Sequence, residues 1–476
     1  MQAIGAVQAM PSRARDKQKY TLQQALDILL KAKTGGFAAI ATSVTGADKL
    51  DTAKAVTRNM FLTEDRYAEA RRQLRNRLSA WRELLTRFDN AADMAEYSGE
   101  TAQKSKSLLL SNLREAVKAG KNLERAYRNA DLFFKNTGKT AVRNLTLLNA
   151  GAEQLRDMSS QVFIHAVRDE LTAKFDKLDL RENYSLLHVP GYLGSKAVVN
   201  YWAEFAHRNK VFLITDYRDF DDAVESYEAF CDENLATADA QLSNVIMTCN
   251  YLLGRKAYRD EPVGNTNEAP KDWREVLGED DALWIGAAGA LTGRIYRLNM
   301  AQVAAGKKWG QFQGVQTTRF EIAKSQLSEM VKANMVPMVF EWKQVSAFSD
   351  RTLFTGEPVG MQTYSVVRVF DWVMKVLIDF GNRIYGENFT DFQIETVLRP
   401  QVVRFLDKLQ YEWRFIEGWD KLVIRRDPKN PKQILLFVHL NPLWPTETLL
   451  ITLEGMEGED GESAKYQIDV KTQSRK

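Results

Sequence analysis

The sequence predicts a mixed α/β (α+β) protein with an N-terminal helical hairpin and C-terminal strands, and three observations lead there. Apolar residues recur at threes and fours from Tyr67 to Phe134. Short apolar runs alternate with helical patterns from Val142 to Cys249. Three strand-like runs separated by proline turns then close the chain before a polar tail. Helical spacing marks amphipathic helices, strand–helix alternation marks parallel βαβ packing, and Pro/Asn clusters between apolar runs mark turns.

Taken in order, Thr21-Leu-Gln-Gln24 is a capping box for a short helix carrying Leu22, Leu26, Leu29 and Leu30, which Gly35-Gly36 ends. Thr63, followed by Glu64 and Asp65, is an N-cap signal. Behind it Tyr67, Leu74, Leu78, Trp81, Leu85 and Phe88 form one stripe, and Leu109, Leu113, Val117, Leu123, Tyr127 and Phe134 a second, with a break expected near Ser98-Gly99 and an end near Gly138. Val142 to Leu148 then reads as a buried strand, Gln161 to Phe175 as a helix and Tyr184 to Val189 as a strand. Ala197 to His207 reads as a helix, Val211 to Thr215 as a strand, Asp219 to Asp232 as a helix and Ser243 to Cys249 as a strand. A polar stretch from Arg259 to Asp272 reads as a surface loop. Beyond it come a Gly/Ala-rich helix (Trp284 to Val303), a hairpin-like region (Val336 to Phe354) and amphipathic helices over Tyr364 to Ile384 and Phe392 to Leu409. Leu422 to Arg426, Ile434 to Leu440 and Leu449 to Leu453 complete the strands. These readings divide the chain into an arm (1–60), a hairpin (61–138), an α/β region (139–360), a C-terminal domain (361–455) and a polar tail (456–476).

Composition narrows the function classes. With 476 residues, 45% hydrophobic and 27% charged, the chain can bury a large core and exceeds the size of most single cores, roughly 250–300 residues. A net charge of +3 is too small for a nucleic-acid binder of this length. Four His and two Cys, with no paired metal-ligand spacing, give no zinc or iron–sulfur signature and no expected cofactor, and they fit a reducing, cytoplasmic compartment. Basic residues follow the apolar N-terminus instead of preceding it, so no secretory signal is expected, and charges interrupt the longest apolar runs, so no membrane insertion is expected either.

Catalytic motifs are weak. Thr137-Gly-Lys-Thr140 ends like a phosphate loop, but Phe133 stands where the leading glycine belongs. Pro190-Gly-Tyr-Leu-Gly-Ser-Lys196 has the strand-to-helix context for cradling phosphate, which leaves a cytoplasmic α/β enzyme binding a phosphorylated ligand at Gly191–Lys196 as the alternative; a tight turn is the simpler account. The glycines of Gly286 to Arg294 sit at helical spacing and suit close backbone packing. His165 and Asp169 lack a nucleophile, Asp216, Asp219, Asp221 and Asp222 lack a second acidic cluster, and Asp219 is expected to cap the next helix. The arginines from Arg66 to Arg87 are diluted by Glu64, Asp65, Glu69 and Glu83, so a solvated or interface face is expected.

Pro190 to Val199, Lys210-Val-Phe-Leu-Ile-Thr-Asp216, Thr363-Tyr-Ser-Val-Val-Arg-Val-Phe370 and Val402-Val-Arg-Phe-Leu-Asp407 carry a resemblance. They are similar to the large subunit of the type VI secretion contractile sheath, TssC, in its divergent branch with a helical hairpin. The resemblance spans about Phe61 to Gly455 and implies a contractile-sheath-like core with a structural, non-enzymatic role. It implies polymerisation with a small TssB-like subunit and with copies of itself around an Hcp-like inner tube, attachment to a baseplate, and contraction that drives the tube for effector delivery. It further implies tube contact by Arg368, Asp371, Lys375, Asp379 and Arg383, on the polar side of a helix whose packed side carries Val366, Val369, Phe370, Val373, Leu377, Phe380 and Ile384. Solvation or pairing within the subunit is the alternative for those charges. Ile434, Leu436, Val438 and Leu440 are implied to pair between subunits, and Leu22, Leu26, Leu29 and Leu30 to meet a ClpV-like AAA+ unfoldase; an ordinary packed helix is the alternative there.

Overall fold

The computed structural model describes residue 24 and residues 55–138, 142–257 and 282–446. The described residues fall into two compact units that divide at residue 119.

In the first unit, α1 (Ala55–Thr63) ends at Thr63, whose hydroxyl donates back to the Asn59 carbonyl at 2.6 Å. Thr63 therefore closes one helix instead of capping the next. A single tight turn, Asp65–Tyr67, leads into α2 (Ala68–Arg87). Phe61, Tyr67 and Ala70 form a small buried cluster, and Arg71 fastens the corner by donating to the carbonyls of Phe61 and Glu64. The arginines of α2 pair locally, Arg72 with Glu69 and Arg87 with Glu83, as a solvated face does.

The expected helix break lies earlier than Ser98-Gly99. Asn90 caps α3 (Ala91–Thr137), its side chain accepting from the Asp93 amide at 2.9 Å, so Ser98 and Gly99 are helical. Gly138, at φ +68°, ends α3 in the left-handed conformation that glycine tolerates best.

The second unit is built on a five-stranded sheet. Its strands are β1 (Leu186–Val189), β2 (Phe212–Asp216), β3 (Val245–Cys249), β6 (Val336–Glu341) and β7 (Gln344–Ala347), in that order; the first four are parallel and β7 returns antiparallel. Ahead of β1 lies α4 (Val162–Phe175); α5 (Lys196–Arg208) joins β1 to β2 and α6 (Ala223–Glu233) joins β2 to β3. Side-chain alternation along the strands separates two cores. Leu213, Val245 and Met247 join Trp202 and Ala203 of α5, whereas Phe212, Ile214 and Ile246 join a second core. Asp222, not Asp219, caps α6, accepting from the amides of Val224 and Glu225.

After β3 an antiparallel ribbon of β4 (Leu252–Arg255) and β5 (Leu283–Ile285) precedes α7 (Ala288–Arg297), so the expected helix from Trp284 is a strand, a turn and a shorter helix. That turn is set by Asp216, which is fully buried at the end of β2. It accepts from the Gly191 amide at 2.8 Å and the Ala288 amide at 2.8 Å, and the Thr248 hydroxyl also donates to it. A Cβ on Gly286 would lie 2.0 Å from its Oδ2. Burial raises the Asp216 carboxyl and the donated hydrogen bonds oppose the rise.

The close approach expected of the α7 glycines is present. A Cβ on Gly289 would lie 2.6 Å from the Asn129 carbonyl oxygen, and one on Gly293 would lie 2.3 Å from that of Phe133. This packing decides which face of α3 turns inward over residues 120–137: Asn129, Leu132 and Asn136 are buried, while Leu123 and Tyr127 of the expected stripe are exposed. Val142 to Leu148 is likewise no strand. It is irregular, with Asn144 at φ +52° and Leu145, Leu147 and Leu148 exposed.

Beyond α8 (Lys324–Lys332) and the β6–β7 hairpin, α9 (Tyr364–Arg383) joins the second core through Tyr364 and Val367 and a third core through Val369 and Val373. The third core is completed by a helical segment from Asp391 to Glu412 and an antiparallel ribbon of β8 (Ile416–Arg426) and β9 (Ile434–Pro442). Two π turns, Ile394–Leu398 and Lys408–Glu412, flank α10 (Arg399–Asp407). Pro400 explains the first, because it has no amide hydrogen for the preceding turn and its ring crowds the carbonyl there.

Candidate functional site

Two surfaces are candidates for assembly, α9 and the β8–β9 ribbon. The expected outward face of α9 is in large part an inward one. Asp371 and Lys375 are buried at 9% and 7% exposure, and the Arg368 guanidinium carries an Nη1 sealed from solvent. Asp371 accepts from the Asn244 side-chain amide at 2.7 Å and lies 3.8 Å from Lys210 Nζ; Lys375 donates to the Tyr184 carbonyl at 2.7 Å. Burial raises the Asp371 carboxyl, pushes the Lys375 ammonium down to about 8 and takes Arg368 down to about 10. Only Arg383, at the far end of the series, reaches outward, its side chain 75% exposed; it pairs with Asp379, whose side chain is 13% exposed.

The correction has a mirror image. Phe370, assigned to the packed side, is exposed, and with Met374 and Ile378 it forms an outward apolar line at steps of four. Val366, Val369 and Val373 are buried as expected. Interior charges at 368, 371 and 375 carried no sequence signal, because their partners Tyr184, Lys210 and Asn244 come from distant segments. Of this outward line only Phe370 was expected on the packed side; the steps of four that join it to Met374 and Ile378 are visible in the sequence and were not used.

The β8–β9 ribbon places Ile434 opposite Arg426, Leu436 opposite Ile424 and Leu440 opposite Trp419. Ile434, Val438 and Leu440 lean on the third core, whereas Leu436, Phe437 and Trp444 are exposed. Among the described residues no third strand pairs with this ribbon. Leu449 to Leu453 and the four N-terminal leucines, Leu22, Leu26, Leu29 and Leu30, lie outside the described residues.

The turn at Gly191–Lys196 is committed to the fold. Its Gly191 amide donates to Asp216, the Gly191 carbonyl accepts from the Thr215 hydroxyl at 2.7 Å, and Ser195 caps α5. Gly191 and Gly194 adopt φ of +94° and +91°, and a Cβ on Gly194 would meet Arg156 at 2.9 Å. The phosphate-binding alternative therefore loses its central donor. Asp169 pairs with Arg168. Among the described residues no group of three or more His, Cys, Asp or Glu side chains is placed to hold a metal ion, and no helix is long and apolar enough to cross a membrane.

Similarity to known proteins covers nearly the whole chain. The type VI secretion system TssC/VipB central domain matches residues 115–355, the TssC/VipB-like C-terminal domain residues 363–470 and the TssC/VipB-like N-terminal region residues 23–113. No curated protein matches. Among solved structures the chain is similar to the helical sheath of the anti-feeding prophage in its contracted state, at 12% identity and a TM-score of 0.47, over 69% of this chain and 81% of that one. It is also similar to the baseplate of the same prophage, at 11% identity and a TM-score of 0.42, over 66% and 82%. The sheath tail protein of Desulfitobacterium hafniense follows at 12% identity and a TM-score of 0.35, over 59% and 60%. Three consecutive domain models in their proper order, matched from residue 23 to residue 470, establish that the chain belongs to the TssC/VipB family, the large-subunit family of the type VI secretion sheath.

Proposed function

We propose that this chain polymerises in the bacterial cytoplasm with a small TssB-like subunit and with copies of itself into a tube-shaped sheath around an Hcp-like inner tube. Shortening of that sheath drives the tube outward for effector delivery, and the chain's role is structural, with no catalytic step assigned. The observation that carries the assembly reading is the β8–β9 ribbon: two strands, no third partner among the described residues, and exposed Leu436 and Phe437 beside the unpaired edge. Such an edge accepts a strand from a neighbour, which saturates backbone groups and holds subunits together while they move. Ile434, Val438 and Leu440 set its register from the core side, and Leu436 faces the neighbour.

For tube contact the surface of α9 supports a revised face: Phe370, Met374 and Ile378, ending at the Asp379–Arg383 pair. A baseplate and a ClpV-like unfoldase remain further proposed partners, the latter through Leu22, Leu26, Leu29 and Leu30. The test is electron microscopy of the chain co-expressed with its small partner, with Leu436→Asp and Phe437→Asp combined. Folded complexes that no longer form tubes are expected. Tubes of normal length and number would remove the ribbon from assembly.

A further inference from the structure

Two stretches of the second unit carry opposite charge. From Asp219 to Gly254 the sequence holds acidic residues and no Lys or Arg, whereas from Ala282 to Phe320 it holds Lys and Arg and no acid. Arg319 joins the two stretches within one chain, through Asp221. The rest of the acidic charge on α6 is unspent. Glu225, Glu228 and Asp232 are exposed, follow one another at steps of three and four along one helix face, and have no cation partner among the described residues.

The basic stretch comes to the surface at the tip of the β6–β7 hairpin. A helical turn, Gly306–Trp309, lies beside that tip, with Lys307 Nζ 5.2 Å from the centre of the Trp342 ring. Lys307, Lys308 and Lys343 are exposed and have no carboxylate partner among the described residues. Trp342 is 52% exposed and Phe340 39%. Trp342 and Lys343 form the two-residue turn between the strands, at φ of +52° and +61°, a mirror-image turn that Asn and Gly ordinarily occupy. A bulky residue is unfavourable there. Trp342 thus fills no core and costs the turn, so its use lies outside the subunit, and an exposed tryptophan ringed by polar groups is what anchors protein interfaces. The hairpin packs on the second core through Met338 and Val345, whereas α6 packs on the first through Ala223 and Phe230, so the two surfaces lie on opposite sides of the sheet.

We infer that the tip of the β6–β7 hairpin docks on the acidic face of α6 in a second copy of this chain. The inference rests on the polymerisation proposed for the chain and names one contact within it. Trp342 is the apolar anchor, and Lys307, Lys308 and Lys343 meet the line of Glu225, Glu228 and Asp232 on the neighbouring copy, where opposite charge sets the register. Two different faces of one chain then meet, a contact that propagates from copy to copy instead of closing as a two-fold dimer.

The test uses the full chain co-expressed with its small partner, with tubes counted in electron micrographs and the melting of the subunit pair as the control for folding. Lys307→Glu with Lys308→Glu, and separately Glu225→Lys with Glu228→Lys, are each expected to cut tube number by about tenfold or more at unchanged melting. All four changes together are expected to restore the tubes. Trp342→Gly is expected to raise the melting temperature, because glycine suits the turn, and yet to lower tube number. Carbodiimide cross-linking of unaltered tubes reads the same contact without a substitution: peptides joining Lys307, Lys308 or Lys343 to Glu225, Glu228 or Asp232 are expected. Tubes that survive either charge reversal, a loss that the fourfold exchange does not restore, or these lysines linked to the small partner alone would each overturn the inference while leaving polymerisation standing. An unaltered chain that forms no tubes would overturn the polymerisation and this contact with it.

Discussion

Replacing Gly293 by alanine tests the packing of α3 on α7, because two well-understood effects predict opposite signs. In a helix interior alanine is favoured over glycine by about 0.5–1 kcal/mol, through the backbone entropy glycine loses on folding. At Gly293, however, the new Cβ would sit 2.3 Å from the Phe133 carbonyl oxygen and 3.0 Å from the Asn136 Cβ. Neither atom can swing away, since one is backbone and the other is fixed to it. The two helices must separate by about 0.7 Å merely to reach the shortest tolerated contact, in an interior packed about as densely as an organic crystal. Overpacking of this kind costs about 1–3 kcal/mol, and against backbone the upper half of that range applies. Less the propensity gain, Gly293→Ala should destabilise the chain by about 1–2.5 kcal/mol. Gly120, on α3 itself, has nothing within 4 Å of its Cβ position, so Gly120→Ala should stabilise by about 0.5–1 kcal/mol. Adding Gly289→Ala to Gly293→Ala should cost less than the sum of the two, because one separation of the helices relieves both contacts. Urea unfolding at unchanged m-value measures all of these. Finding Gly293→Ala and Gly120→Ala equally stabilising would refute the close approach of α3 and α7.

Further outcomes are expected elsewhere. Lys375→Glu sets a second carboxylate beside buried Asp371 and should cost about 3–5 kcal/mol, whereas exposed Arg383→Glu should stay within about 0.5 kcal/mol; comparable soluble yield and melting for the two would contradict the inward face of α9. Between about 8 and the ordinary 10.5, Lys375 is deprotonated in the folded chain and protonated in the unfolded one. The cost of burying the ammonium is therefore present in full below that window and is relieved as pH rises through it, so stability increases by up to about 3 kcal/mol. A stability difference between the natural chain and Lys375→Met that stays flat from pH 7.5 to 10.5 would count against this. Met374→Glu should leave the fold intact, since the side chain is half exposed, yet prevent extended sheath from forming around tube protein; normal tube-filled sheaths in electron micrographs would exclude that face.

What the sequence made legible was local. The β1-to-β3 alternation, the ends of α5 and α9 and the close-packing role of the α7 glycines follow from periodicity, caps and residue size, which need no knowledge of distant segments. Faces of helices were less legible. Leu123 and Tyr127 read as core because they are apolar, but α3 turns the side bearing Asn129 and Asn136 toward α7, where small side chains allow backbone to meet backbone. Arg368, Asp371 and Lys375 read as surface because they are charged, while their partners lie up to 191 residues away. Val142 to Leu148 had a strand's composition and no neighbouring strand to complete it. The family was legible from four short stretches.

The carboxylate of Asp216 also restricts how this sequence can diverge. With a Cβ at position 286 only 2.0 Å from Oδ2, any side chain at Gly286 demands a shorter residue at 216, and a shorter residue at 216 strands the amides of Gly191 and Ala288. Neither position can drift alone. Homologous chains should therefore either keep both residues or exchange them together, with a new polar group arriving to receive the two amides. A family alignment in which Gly286 varies freely beside an unchanged aspartate would mean that the turn before α7 takes another path in those relatives.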